Sequence, residues 1–290
     1  KMEFTNVDTG HEGMTSGDVD SDSHVDLVVH GQWVRNPGGD AAREPANWTP
    51  YDIGPADPDF KALVADINQD GHMDVLFSSS ENTADVNWWS ADNGDPTGSW
   101  TKNTILPMME RTHTLQAADM NLDGKMDVVL GQMHTAQDNE IMVMYNLDGV
   151  GTAWEKQLVD TGGLHNGVVA DIGNDGDYDI FGANWTGNPP VRLWENRLDA
   201  AGSLDRWTYK QVTDQNAQTF GLGFGDVDRD GQQDILAGRY WYHNPGGDML
   251  GDWAQHEFPA GMHALMALDV DGDNQTDVIA QKEESGLAVY

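Results

Sequence analysis

The sequence predicts an all-β fold: a six-bladed β-propeller of four-stranded antiparallel blades in one domain, residues 1–290, closed by the N-terminal strand completing the last blade. Three observations predict it. One acidic motif occurs six times along the chain. Each occurrence is set in the same succession of short β-rich runs. No window of helical length shows a 3.6-residue period.

The motif begins at residues 18, 66, 119, 171, 226 and 269, as DVDSDSHVDLVV, DINQDGHMDVLF, DMNLDGKMDVVL, DIGNDGDYDIFG, DVDRDGQQDILA and DVDGDNQTDVIA. Separations of 48, 53, 52, 55 and 43 residues mean stacked supersecondary units. Strand A is the short alternating run before each motif, as in HNGVVA before Asp171. Strand B follows the acidic loop, as in DVVLG. Strand C ends in an aromatic and a turn, as in MVMYNLDG, VRLWEN and YWYHNPGG. Strand D starts at a Trp, with an apolar residue five positions on: Trp48–Ile53, Trp100–Ile105, Trp154–Val159, Trp207–Val212 and Trp253–Phe258. Gly, Asn, Asp and Pro punctuate the junctions. Five such strands serve six loops, and the chain stops at the strand C run GLAVY. MEFTNVDTG at the N-terminus matches WEKQLVDTG from Trp154, with Met2–Val7 at the same spacing, so it supplies the missing strand. Closure of this kind removes exposed sheet edges.

The formal charge is −34, with only 15 Lys and Arg. Such a surface repels nucleic acid and anionic membrane, which excludes both as partners. It favours hard cations instead. There is no cysteine, so no disulfide reports the compartment, and no stretch approaches the roughly 18 apolar residues of a membrane span. A chain that begins at Lys1 reads as a processed or trimmed form, and a secreted or cell-surface location is expected because millimolar calcium is found outside cells.

Each acidic loop sets oxygen side chains at positions 1, 3, 5 and 9. Alternate residues on a tight turn point inward, so three of them, a backbone carbonyl at position 7 and a closing carboxylate at position 9 can surround one ion. The expected ligands are Asp18, Asp20, Asp22 and Asp26; Asp66, Asn68, Asp70 and Asp74; Asp119, Asn121, Asp123 and Asp127; Asp171, Asp175 and Asp179; Asp226, Asp228, Asp230 and Asp234; and Asp269, Asp271, Asp273 and Asp277. Oxygen ligands without His or Cys favour Ca²⁺ over zinc or copper, and magnesium prefers to keep several waters. An EF-hand is excluded, because position 12 is Val29, Phe77, Leu130, Gly182, Ala237 and Ala280 and never Glu. Six copies of one site speak for structural ions, up to one per blade, and against a catalytic metal. Gly173 replaces the position-3 ligand in the fourth loop, which is expected to bind most weakly or to borrow Asp177. Six bound Ca²⁺ would bring the formal charge from −34 to −22, so calcium removal is expected to destabilise the blades.

The pattern D-x-[DN]-x-D-G-x-x-D-[ILV]-[ILV] after a strand resembles the FG-GAP/VCBS repeat of integrin α-subunit heads and of secreted bacterial and fungal propellers. The "FG" survives as Phe220-Gly221, and the "GAP" as fragments such as LGQ and AGR. His before the first Asp, with NPGG after strand C, is similar to repeats of the aldos-2-ulose dehydratase type; ulvan lyases are propellers too, with seven blades. The resemblance implies calcium in the loops. It spans adhesion modules, lectins and carbohydrate-modifying enzymes, and so points towards sugars by analogy.

In propellers of this type the calcium loops lie on one face, and the B–C and D–A connections surround the mouth of the channel on the other, where ligands bind. Blades 1 and 5 have short B–C connections, HGQW and GRYW. Blades 2, 3 and 4 have longer ones, SSSENTAD, GQMHTAQDNE and GANWTGNPP, which make an asymmetric wall. His11, His113, His165 and His263 stand near the starts of strands A, with Phe60 and Phe220 in the other two blades. His11 and His263 read as repeat-consensus residues bonding a neighbouring backbone. For His113 and His165 the functional and structural readings stand even. Arg111, His134, Asn184, Trp185, Arg239 and Tyr240 are expected nearby. The strand D Trp residues read as inter-blade packing, whereas Trp185 lies in a polar, Gly- and Pro-rich loop and suits stacking on a sugar. Arg111 and Arg239 could pair with a substrate carboxylate or with one of the chain's 49 acids.

Three functions remain open. The first is a calcium-stabilised propeller binding carbohydrate through Arg111, His134, Asn184 and Trp185. The second is a polysaccharide lyase or dehydratase, with His113, His165 or Tyr240 as base or acid and Arg111 or Arg239 neutralising a substrate carboxylate or enolate. A His cluster at the mouth could also hold a further divalent metal. The third is a protein-binding adhesion scaffold.

Overall fold

The computed structural model describes residues 13–54, 59–185, 189–198, 207–213, 221–270, 275–282 and 286–289. Six antiparallel sheets follow one another along these residues, each a meander whose strands pair in chain order. The first is Met14–Gly17, Asp26–Val29, Gln32–Arg35 and Thr49–Asp52. The second is Phe60–Ala65, Asp74–Ser79, Thr83–Ala91 and Trp100–Glu110; the third is Thr112–Ala118, Asp127–Gln132, Glu140–Asn146 and Trp154–Thr161. The fourth is Asn166–Ala170, Asp179–Ala183, Val191–Asn196 and Trp207–Thr213; the fifth is Leu222–Gly225, Asp234–Ala237, Tyr240–His243 and Ala254–Glu257. The sixth holds three strands among the described residues, Met262–Leu268, Asp277–Lys282 and Gly286–Val289. The expected closing strand, Met2–Val7, lies outside the described residues, as do His11, Phe220, Asp271 and Asp273. The described helical segments are short 3₁₀ turns, Gly39–Arg43, Pro45–Asn47 and Asp92–Gly94, each between the third and fourth strands of its sheet.

Register repeats from sheet to sheet. The residue before each acidic motif pairs with the Asp at its ninth position: Gly17 with Asp26, Ala65 with Asp74, Ala118 with Asp127, Ala170 with Asp179, Gly225 with Asp234 and Leu268 with Asp277. Every acidic loop is therefore the connection between first and second strands, clamped at one register. The short connection after Val29 is a two-residue hairpin. His30 and Gly31 both take positive φ, 50° and 75°, as the twist of a tight hairpin requires.

Burial grades across each sheet. The second strands Asp74–Ser79, Asp127–Gln132 and Asp179–Ala183 are buried throughout, which explains their unbroken apolar runs. Ala254–Glu257, a fourth strand at a sheet edge, is exposed at every residue. The core lies between consecutive sheets. Val28, Trp33, Val75, Phe77 and Trp89 pack the first sheet on the second. Leu76, Trp88, Val128, Leu130 and Met142 pack the second on the third. Phe181, Leu193, Ile235, Tyr242 and Trp253 pack the fourth on the fifth.

The repeat tryptophans take part in this packing and also close their own turns. The indole N–H of Trp48 donates to Ala42 O (3.0 Å), that of Trp154 to Gly151 O (2.9 Å) and that of Trp253 to Met249 O (2.9 Å). A Trp at the start of the fourth strand thus satisfies its only donor without leaving the apolar layer. By chain contacts the molecule divides into two compact units: Lys1–Asp119 with Asp123–Gly162, and Met120–Leu122 with Gly163–Tyr290. The first holds sheets one to three and the second sheets four to six.

Candidate functional site

The acidic loops are built by carboxylates that accept backbone N–H groups. Asp18 accepts from Asp22 N (3.0 Å) and Ser23 N (2.9 Å), and Asp226 from Asp230 N and Gly231 N (both 3.0 Å). Asp66, Asp119 and Asp171 do the same in their loops. Position 5 then accepts the N–H of position 7, as Asp70 does from His72 (2.9 Å). Position 4 is left-handed in each of these five loops, at Ser21, Gln69, Leu122, Asn174 and Arg229, and so is position 6, at Ser23, Gly71, Gly124, Gly176 and Gly231. Two left-handed residues in three fold the turn tightly enough to aim its odd-numbered side chains inward.

Position 9 carries the deepest charge. Asp26, Asp127, Asp179 and Asp234 are fully buried, and Asp74 nearly so. In the fifth loop Asp234 accepts from Val227 N (2.9 Å) and from Asn244 N (2.9 Å). Burial raises Asp26 and Asp234 above the ordinary carboxylate range. It pushes Asp74 to about 7, with Asp70 and Asp66 adding repulsion, and Asp179 to about 8, with Asp177 adding to it. The amide beside position 9 is a second fixture. Asn146 Nδ2 donates to Ile67 O (3.0 Å), Asn196 Nδ2 to Met120 O (2.9 Å) and Asn244 Nδ2 to Ile172 O (2.9 Å). Each of these bonds reaches position 2 of the acidic loop one repeat earlier, so loop and sheet packing are coupled.

The loops fit a hard cation. Asp18, Asp20 and Asp22 bring carboxylate oxygens within 4.8 Å of one another, as do Asp226, Asp228 and Asp234. Buried carboxylates held above their ordinary range are what a bound dication would neutralise. Asn68 donates to Asp70 (3.0 Å) and lies 3.4 Å from Ser90 Oγ, while Asn121 stands between Asp119 and Asp123 in its turn. The fourth loop lacks a side chain at Gly173, and there Asp177 is buried. It is pushed up to about 6 by burial and by its neighbours Asp175 and Asp171, as a borrowed ligand would be. In the sixth loop, Asp277 accepts from Val270 N (3.0 Å), and Asp269 opens the turn.

The loop motifs themselves do not contain the side chains that reach them from the third strands. Arg35 places its guanidinium on Asp20 (2.6 Å) and Asp22 (3.0 Å). In the fifth loop His243 Nε2 lies 3.2 Å from Asp228 and 3.1 Å from Asp230. Both residues immediately precede the strand-ending Asn, in VRNPGG and YHNPGG, and that adjacency is the signal by which they can be found. Lys125, from within its own loop, pairs with Asp123 (3.0 Å). The residue at position 7 settles on the turn after the third strand. A Cβ on Gly38 would lie 2.4 Å from His24 Nε2, and one on Gly94 2.5 Å from His72 Nε2, and both glycines have positive φ. Only glycine fits there.

At the opposite strand ends, each unit gathers its own polar residues. In the first unit the His113 side chain is 1% exposed, and its Nε2 lies 3.6 Å from Glu81 Oε1. Glu81 comes from the connection after Asp74–Ser79, which is three residues long because Thr83–Ala91 extends the third strand, and not the long loop expected from SSSENTAD. Arg111 holds a left-handed φ of 47° and donates to Thr135 O (2.9 Å), with Glu110 at 3.7 Å; half-buried His134 is next to Thr135. In the second unit the rings of His165 and Trp185 lie 6.1 Å apart, and His165 Nδ1 is 3.0 Å from Asn166 Oδ1. Asn184 and Trp185 are both half-buried at the end of Asp179–Ala183. Nearby, Arg192 is buried over the Trp194 ring at 4.9 Å and donates to Gly163 O. Arg239 pairs with Glu257 and lies over the Tyr240 ring at 5.8 Å. His263, half-buried, is in the first strand of the sixth sheet.

Residues 66–130 match the FG-GAP-like repeat family. Among solved structures, BBS1N in complex with ARL6DN superposes with a TM-score of 0.58 at 14% identity, over 98% of this chain and 80% of that one, in its lead-soaked crystal. Its mercury-soaked crystal gives a TM-score of 0.59. The exotype rhamnogalacturonan lyase YesX aligns at 13% identity with a TM-score of 0.46, over 91% of this chain and 54% of that one. No curated protein sequence matches the chain. The BBS1N likeness concerns the fold alone.

Proposed function

We propose that this chain, an FG-GAP propeller by its matched repeat and its fold, is a secreted, six-bladed, single-domain propeller that is stapled by calcium and binds carbohydrate at the strand ends opposite the acidic loops. Closure would come from the N-terminal strand joining the last sheet. The calcium ligands are the carboxylates and amides at positions 1, 3, 5 and 9, helped in the fourth loop by Asp177. Bound calcium supplies positive charge to buried carboxylates that otherwise repel one another.

The observation that carries carbohydrate binding is the group His165, Asn166, Asn184 and Trp185. A half-buried indole in a polar connection, with a ring at 6.1 Å and amides beside it, offers an apolar face and hydrogen-bonding groups together. Sugars present the same combination of an apolar C–H face and peripheral hydroxyls. Glycan-array binding by the wild-type chain and its loss in Trp185→Ala, with unfolding temperature unchanged, is the expected result. Retained binding by Trp185→Ala would move the site elsewhere.

A second reading, a polysaccharide lyase or dehydratase, is favoured by one observation: buried His113 lies 3.6 Å from the carboxylate of Glu81. An imidazole and a carboxylate this close together are the residue types that general acid–base chemistry on a uronate uses. Release of unsaturated uronate products, abolished in His113→Ala, would establish this reading over simple binding.

A further inference from the structure

His243 gives the fifth acidic loop a ligand of different chemistry from those in its motif. Its Nε2 lies 3.2 Å from Asp228 Oδ2 and 3.1 Å from Asp230 Oδ2. One ring nitrogen carries at most one hydrogen, so it cannot donate well to two carboxylates at nearly equal distance. A metal ion accepts all three. Bond lengths of about 2.0–2.2 Å to nitrogen and carboxylate oxygen place tetrahedral ligand atoms roughly 3.3–3.6 Å apart, close to the two distances from His243 Nε2. Trp241, edge-on with its centroid 6.2 Å from the His243 ring, helps to hold that ring in place.

The first loop shows independently that this spot attracts a cation. Arg35 occupies the same place before the strand-ending Asn, and its guanidinium rests on Asp20 and Asp22, the equivalents of Asp228 and Asp230. Where the first loop carries a fixed positive charge, the fifth carries an imidazole.

We propose that Asp228, Asp230 and His243 form a mixed nitrogen–oxygen site for a borderline transition dication of the zinc and cobalt class. Imidazole suits these ions, while Ca²⁺ takes oxygen ligands. The proposal rests on reading the acidic loops as cation sites and adds selectivity to one of them. Asp228 also belongs to the all-carboxylate set Asp226, Asp228 and Asp234, so an ion on His243 draws a ligand from calcium in this loop.

The test is titration of the chelator-treated full chain with Co²⁺ in excess Ca²⁺, followed by visible absorption, beside a separate Ca²⁺ titration. One equivalent of Co²⁺ should bind in the presence of Ca²⁺, and His243→Asn should weaken it by about tenfold or more while leaving calcium binding by the other loops intact. Arg35→His should create a second equivalent, which keeps the test open if His243→Asn folds poorly. Calcium binding without Co²⁺ binding, or Co²⁺ binding unchanged by His243→Asn, overturns the selectivity and leaves the calcium reading standing. Binding of neither ion overturns both.

Discussion

The first and fifth acidic loops share a backbone and differ in what meets their charge. Both clamp the same register, cap the same N–H groups and carry Asp at positions 1, 3, 5 and 9. In the first loop a guanidinium lies on positions 3 and 5; in the fifth an imidazole lies there. The first also places Ser23 at the left-handed position 6, at φ 69°, where the fifth has Gly231 at 91°. The comparison teaches that the motif sets the turn, while a single third-strand residue outside it sets the counter-charge.

The largest way to break this comparison is to remove all divalent ions. Asp74 and Asp179 sit in the folded chain at about 7 and about 8, against an ordinary 3.8. A carboxylate raised on folding favours the protonated folded state. Without metal, stability from these groups is therefore present near pH 4 and lost as pH rises through the folded values. Chelated protein should be less stable at about pH 8 than at about pH 5 by about 3 kcal/mol or more, and calcium should reverse most of that loss. Denaturant unfolding at both pH values, with and without calcium, checks the sign. Equal stability at both pH values without metal would contradict it.

A smaller effect separates loop from packing. Asn244→Ala leaves Ile172 O without its donor and removes the amide that ties the fifth sheet to the fourth loop. It should cost about 2–3 kcal/mol whether or not calcium is bound. Urea midpoints in calcium and in chelator give the two values, and a loss confined to one condition would show that the amide acts through the ion.

Arg35→Gln sharpens the contrast directly. Removing a monovalent charge beside a divalent site should raise calcium affinity of the first loop by about tenfold, while the ion pair itself, half-exposed, is worth less than about 1 kcal/mol. Calorimetric titration would resolve the gained affinity. The smallest effect concerns the backbone: Ser23→Gly should stabilise by about 0.5–1 kcal/mol and Gly231→Ser should cost about as much. Thermal unfolding of the pair, moving in opposite directions, checks this.

The sheets and loops were legible because their signals are local. Alternating Asp residues and the register-setting Asp at position 9 lie within nine residues of one another. The recurrent Asn was visible too, but its partner was not: Asn146 and Ile67 are 79 residues apart, and only sheet stacking brings them together. His243 is not legible as a loop ligand for the same reason, standing 13 residues beyond Asp230. Glu81 escaped because its closeness to His113 depends on how one connection leans towards the next sheet. Trp185 stood out in sequence as an aromatic in a polar turn, and its ring lies 6.1 Å from that of His165.

The most direct measurement is anomalous diffraction from crystals grown in calcium with a low concentration of cobalt. Calcium signal is predicted within the acidic loops, weakest in the first, where Arg35 lies on Asp20 and Asp22, and cobalt beside His243 alone. Empty loops throughout, or cobalt in the first loop as well as beside His243, would contradict the claim that the counter-charge is set from the third strand.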